Sequence, residues 1–375
     1  MTKKMNIINK LQQEFVVDKI KKTDWKIGAS NPLVVELDTT EVCNLACPGC
    51  ISEDMLETKN RFSDKRLMQL GEEFNAVGVK AVILIGGGEP LAHPRVGEFM
   101  NYLGENDIHI GITTNGTLID KYLDVIAKYS NWTRISMDAG SDEMYNKLRP
   151  SKDGVSKFHK VVENMRELAK IKKGKLGYSY LIRTAADGFG LESNIHEIYD
   201  AAVLARNIGC DYFEVKPSYQ YADGIDHALV KHSKEDMDKA RIEINRLDEL
   251  ETASFSIVKS INLESSLNGI ENPQDKEYTT CPVTELRTLI CPSGVFVCPY
   301  WRGKEKFKVG ELNNSSFVDM WNGEKRNEVM GFLDPSKHCS FHCLRHESNL
   351  EVFKMIEKTK NNENMPILNE FDRFI

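Results

Sequence analysis

The chain has 375 residues, 41% of them hydrophobic and 28% charged, the composition of a globular protein with room for two or three domains. A net charge of −7 argues against nucleic acid or an anionic membrane surface as partner. No apolar run approaches the roughly 20 residues that span a bilayer, and the polar start (Asn9, Lys10, Gln12, Gln13, Glu14) leaves no secretory apolar region, so a cytoplasmic location is expected. In that reducing compartment clustered cysteines read as metal ligands, and nine is an odd number that cannot pair fully within one chain.

Residues 1–32 carry Ile7, Ile8, Leu11, Phe15 and Ile20 at near-helical spacing, which predicts a short N-terminal docking helix. A β/α alternation follows. Strands are predicted at 33–38, 81–85, 109–113, 133–138, 176–182 and 211–216, with helices at 64–77, 94–105, 118–129, 155–171 and 194–208. Six such units predict an α/β fold, a partial (β/α)6 TIM-like barrel over 33–250, short of the eight units of a complete one.

Alternation along the strands sorts their side chains by face. Val35, Leu37, Ile110, Ile112, Ile135, Met137, Phe213 and Val215 form an apolar set that suits the helix side. The opposite set includes Glu36, Asp38, Thr113, Asn115, Arg134, Ser136, Asp138, Tyr212, Glu214 and Lys216. The lumen is therefore expected to be polar, either a solvated cavity for a polar ligand or a set of charges that neutralise one another.

Ligands of parallel β/α folds bind at the carboxyl ends of strands. After the first strand comes Cys43-Asn44-Leu45-Ala46-Cys47-Pro48-Gly49-Cys50, three thiols in the spacing C-x3-C-x2-C. Three thiolates on a [4Fe–4S] cube leave one iron open; a zinc knuckle is the alternative on spacing alone. The second strand runs into Gly86-Gly87-Gly88-Glu89-Pro90, where glycines permit close backbone approach and a carboxylate offers a place for an ammonium group.

Together these two stretches resemble the radical S-adenosylmethionine (SAM) superfamily, and the resemblance covers the barrel. It implies that Cys43, Cys47 and Cys50 hold a [4Fe–4S] cluster whose open iron binds SAM, and that reductive cleavage yields a 5′-deoxyadenosyl radical. It further implies SAM contacts from Gly87, Gly88 and Glu89, and from Thr114, Asn115, Ser136 and Asp138. One departure stands out: the family commonly has an aromatic residue before the third cysteine, packed near the adenine, and here that residue is Gly49.

Beyond a helix candidate at 233–250 and a strand at 253–260, a second cysteine set appears. Cys281, Cys291 and Cys298 bracket a hairpin turned at Pro292-Ser293-Gly294, and Cys339 and Cys343 follow. Four such thiolates could form a zinc ribbon. Beside a radical SAM barrel, residues 251–348 resemble the auxiliary-cluster domains called SPASM and twitch, which implies a second [4Fe–4S] cluster on Cys281, Cys298, Cys339 and Cys343. Cys291 or a neighbouring histidine (His338, His342, His346) is the alternative ligand. Residues 349–375 read as a C-terminal helix and an apolar tail docked on the body or on a partner.

The twitch resemblance implies an oxidoreductase of dehydrogenase type acting on a sugar-like or aminocyclitol small molecule, one electron leaving through the auxiliary cluster. Reduction would come from a flavodoxin or ferredoxin, with no nucleic-acid or membrane partner. Lys216, Glu214 and Arg183 are the candidate catalytic residues, with Tyr219, Tyr300 and Arg302 as further polar groups. A peptide- or protein-modifying maturase is the alternative, and a non-catalytic iron–sulfur redox protein the third reading.

Overall fold

The computed structural model describes residues 7–222, 226–269 and 274–375. Its strands are β1 (Val34–Asp38), β2 (Ala81–Ile85), β3 (His109–Thr114), β4 (Ser130–Ser136), β5 (Lys175–Leu181), β6 (Tyr212–Lys216), β7 (Tyr219–Ala222), β8 (Asp226–Leu229), β9 (Ser256–Lys259), β10 (Arg287–Cys291), β11 (Gly294–Phe296) and β12 (Lys308–Gly310). Apart from the β7–β8 ribbon, they form one sheet in the order β12-β11-β10-β1-β2-β3-β4-β5-β6-β9. The run from β10 through β1–β6 to β9 is parallel throughout.

The six predicted strands lie at the predicted places, with helices Asp64–Val77, Val96–Glu105, Leu123–Tyr129, Phe158–Ile171 and Ile198–Ile208 between them. The helix after β1 shows how local sequence sets an element. Ser63 caps it by accepting a hydrogen bond from the Arg66 N–H, Leu67, Leu70 and Phe74 bury one face, and Gly78 closes it at φ +81°. The sheet extends further than the alternation predicts. Both β9 and β10 come from residues beyond 250, and they flank the six strands on opposite edges. The proposed division at 250 therefore falls within a continuous sheet, and the hairpin of the cysteine-rich segment is hydrogen-bonded to β1.

Parity along the strands works as the pattern predicts. Val35, Leu37, Ile110, Ile112, Ile135, Met137, Phe213 and Val215 are buried in the main core under the helices. A second core lies at the amino ends of the strands, where Val34, Ala81 and Ile83 meet Val16, Val17 and Ile20 of helix Glu14–Lys22. Val352, Met355 and Ile356 of helix His346–Lys360 complete it with Phe374 and Ile375. The tail thus docks on the body, and Gln13 fixes it by accepting from the Phe371 and Asp372 N–H groups at 2.7 and 2.9 Å. Among the described residues no helix is long and apolar enough to cross a membrane.

Above this floor the lumen is polar, and its charges are matched. Glu36 pairs with Arg287 and lies 3.5 Å from Arg345. Asp38 accepts both the Nε and Nη2 hydrogens of Arg302, at 2.8 and 3.0 Å. Glu214 binds Arg134 at 3.1 Å and has Lys216 at 3.7 Å. Burial raises the carboxyl pKa of Asp38 and the Arg302 guanidinium opposes it, so the pair depends on its second member.

Removing one partner of a buried pair strands the other. Arg302→Ala should lower unfolding stability by about 3–5 kcal/mol in urea titration, and Asp38→Asn/Arg302→Leu should recover most of that loss. A single-mutant loss no larger than that of the double mutant would show that the pair contributes no coupling.

Candidate active site

The chain leaves β1 at Asp38 and enters the three-thiol loop directly. All nine cysteines are free thiols. Cys43 is partly buried beside Cys47 and Cys50, and desolvation, more than their charges, pushes its thiol up to about 12. Each of two thiols has a polar neighbour. The Asn115 amide lies 3.8 Å from the Cys43 sulfur, and Arg149 Nη1 lies 4.0 Å from that of Cys47. Asn44, inside the loop, accepts from Asn115 at 2.9 Å and donates to Thr117 at 2.8 Å, which ties the loop to the end of β3.

The glycine run after β2 packs against the same loop. A Cβ on Gly88 would stand 2.3 Å from the Val42 carbonyl oxygen, and one on Gly87 would stand 2.8 Å from Asp38 Oδ2. Glycine is needed at 88 because its backbone touches that of Val42, and at 87 the Asp38 carboxylate takes the space of a side chain. The Glu89 N–H donates to Val42 O at 2.9 Å, while its carboxylate, 2% exposed, accepts from Thr114 Oγ1 at 2.5 Å, Asn115 N at 2.8 Å and Leu91 N at 3.1 Å. The structure thus brings Gly87, Gly88, Glu89, Thr114 and Asn115 together with the three cysteines, with Glu89 joining the ends of β2 and β3.

Ser136 ends β4, and Asp138 lies two residues past it at φ +58°, not on the strand as the sequence suggests. Its side chain accepts from Leu181 N at 2.8 Å and pairs with Arg149. Arg149 follows the unpredicted helix Asp142–Leu148, capped by Ser141. No spacing rule points to this arginine; only the fold brings it to Cys47. Arg183, 7% exposed, is bound by Asp187 at 2.5 Å and reaches the Pro48 carbonyl at 3.4 Å. It braces the cysteine loop from outside the group formed by Glu214, Lys216 and Arg134. Burial lowers the Lys216 pKa to about 8.

Cys281, Cys298, Cys339 and Cys343 line one cavity, which also reaches Glu36 and Arg287 of the lumen. Asn349 contacts the Cys281 sulfur, and Lys276 is buried with its ammonium 2.7 Å from the Phe341 carbonyl. Cys291 stands apart, its thiol 3.1 Å from Asp38 Oδ2. His338 stacks on Phe332, His342 meets Gln274 and His346 meets Tyr278. Tyr300 stacks on Phe341 and accepts from Leu344 N at 3.1 Å. Among the described residues no three His, Cys, Asp or Glu side chains are close enough to share one metal ion. Four thiols lining one space supply the donor set of a [4Fe–4S] cluster.

Residues 37–182, which hold the three-thiol loop and β2 to β5, match the family model described as the Radical SAM superfamily. Among curated proteins the chain is similar to the antilisterial bacteriocin subtilosin biosynthesis protein AlbA of Bacillus subtilis, 25% identical over 82% of this chain and 64% of AlbA. It is also similar to the mycofactocin maturase MftC of Mycolicibacterium smegmatis, 22% identical over 78% of this chain and 71% of that one. The chain spans just under two thirds of AlbA's length. Among solved structures, Streptococcus suis SuiB bound to precursor peptide SuiA superposes with a TM-score of 0.60 at 15% identity, over 96% of this chain and 80% of that one. Native anSMEcpe with bound AdoMet gives 0.56 at 15% identity, over 88% of this chain and all of the other. These structures share the fold.

Two thiol sets, three and four in number, set an iron count. Anaerobically reconstituted protein should hold about eight irons per chain, and Cys47→Ala or Cys298→Ala about four each. A wild-type value near four would remove one of the two clusters.

Proposed function

We propose that this protein is a radical SAM enzyme that modifies a peptide. The observation that carries the reading is the similarity to AlbA, which runs over 318 residues. That span is longer than the barrel, so it takes in part of the cysteine-rich segment or the terminal extensions. MftC, a maturase by name, and SuiB, crystallised with a precursor peptide, support it. The polar lumen that favours a sugar-like or aminocyclitol substrate loses its weight as an argument, because its charges are largely engaged with one another.

In this reading Cys43, Cys47 and Cys50 hold a [4Fe–4S] cluster and leave one iron for SAM, and Cys281, Cys298, Cys339 and Cys343 hold a second cluster fully. When bound and reduced, the first cluster with SAM supplies a 5′-deoxyadenosyl radical able to take a hydrogen atom from substrate. Arg149 places positive charge beside the first thiol set, and the glycine backbone with Glu89 fixes the loop that carries it. The cavity of the second set opens toward Glu36 and Arg287, which puts it beside the lumen where a substrate would lie. Lys216, at the carboxyl end of β6, is the group that would handle a proton, with Glu214 of β6 and the fixed cation Arg134 of β4 setting its charge environment.

Reconstituted protein given SAM, dithionite and a candidate precursor peptide should release methionine and 5′-deoxyadenosine, the latter in proportion to a mass change in the peptide. Turnover of an aminocyclitol or sugar with the peptide untouched would overturn the reading. If neutral Lys216 accepts a proton, the peptide-modification rate should rise with pH through about 8. Glu214→Gln should move that inflection to lower pH, because the lost carboxylate no longer favours the ammonium form. Lys216→Met should abolish it, and an unchanged profile would exclude Lys216 as the base.

A further inference from the structure

The space above Gly49 is filled from elsewhere in the chain. A Cβ on Gly49 would lie 2.4, 2.5 and 2.8 Å from the Cε2, Cδ2 and Cζ atoms of Phe189. Gly49 adopts φ +64°, so both its backbone and its surroundings exclude a side chain. Phe189 comes from the loop after β5, and its ring lies over the residue next to Cys50.

That loop is built to hold the ring in place. Asp187 accepts from the Phe189 N–H at 3.2 Å and from Arg183 Nε at 2.5 Å. Arg183 in turn donates to the Pro48 carbonyl at 3.4 Å, and its guanidinium carbon is 5.4 Å from the centre of the Phe189 ring. Arg183 and Asp187 are 7% and 4% exposed, whereas Phe189, which they hold, is 37% exposed. A buried ion pair here fixes an aromatic ring that remains open to solvent, an arrangement that gains little from burial and suits a flat ligand.

We propose that Phe189 provides the aromatic face for the adenine of SAM, the part a side chain at position 49 would otherwise supply. The inference rests on the radical SAM reading of the three-thiol loop. Adenine is the one flat, apolar portion of that cofactor, and stacking of a base on an aromatic side chain contributes about 1–3 kcal/mol. Arg183 is a positioning residue for the ring.

The test is SAM binding to the reconstituted full-length protein, measured by anaerobic equilibrium dialysis, with L-methionine as a probe that lacks the purine. Phe189→Ala should weaken SAM by about tenfold or more, leave L-methionine binding and iron content unchanged, and reduce the change that SAM makes in the cluster's electron paramagnetic resonance spectrum. Phe189→Tyr should retain wild-type affinity. Phe189→Leu, which still covers Gly49 but cannot stack, should resemble the alanine variant. Equal affinity for the leucine and wild-type proteins would reduce Phe189 to packing and overturn the proposal, as would unchanged SAM binding in Phe189→Ala. Failure of the wild-type protein, with its iron in place, to bind SAM at all would instead overturn the radical SAM reading.

Discussion

Charge in the barrel lumen is the constraint on which the structure depends. A strand that places Val35 and Leu37 under the helices must place Glu36 and Asp38 in the lumen, and a buried carboxylate is tolerated only beside a cation. On β1 those cations are Arg287, Arg345 and Arg302, all supplied by the cysteine-rich half of the chain. The barrel therefore does not satisfy its own first strand. The hairpin must be docked for the charges to be paired, and that docking brings the cavity of the second thiol set to the lumen wall.

Much of the fold is legible in the sequence because two periodicities coincide with punctuation. The strand at 81–85 ends at three consecutive glycines, and the helix at 64–77 has Ser63 before it and Gly78 after it. What fails is the extent of the sheet. β9 is four residues long and its apolar pair, Ile257 and Val258, carries no period, so nothing in it indicates a parallel partner. β10 reads as one arm of a hairpin, and its second neighbour, β1, lies about 250 residues away in the chain.

The site divides similarly. Cysteine spacing and the glycine run identify the loop that would carry the chemistry, because metal ligands and close backbone contacts constrain local sequence. Arg149, Asn44 and Phe189 act through tertiary position alone. Phe189 is the instructive case: the missing side chain at Gly49 is visible in the sequence, but its replacement comes from a loop some 140 residues later, with no spacing to find it by. Glu89 shows the reverse, since the residue is plain in the motif yet its carboxylate is engaged by Thr114, Asn115 and Leu91.

The parallel pairing of β1 with β10 bears on how the two thiol sets can communicate. Cys43 follows the carboxyl end of one strand, and Cys298 follows the hairpin begun by the other, with Leu37 opposite Ile290 in register. Both loops thus spring from one hydrogen-bonded sheet, and not from two bodies joined by a hinge. Docking of the cysteine-rich hairpin is thus part of the sheet itself, because β10 is a strand neighbour of β1. A substitution that weakened the β1–β10 ladder would therefore disturb both thiol sets at once, although they lie some 250 residues apart in the chain.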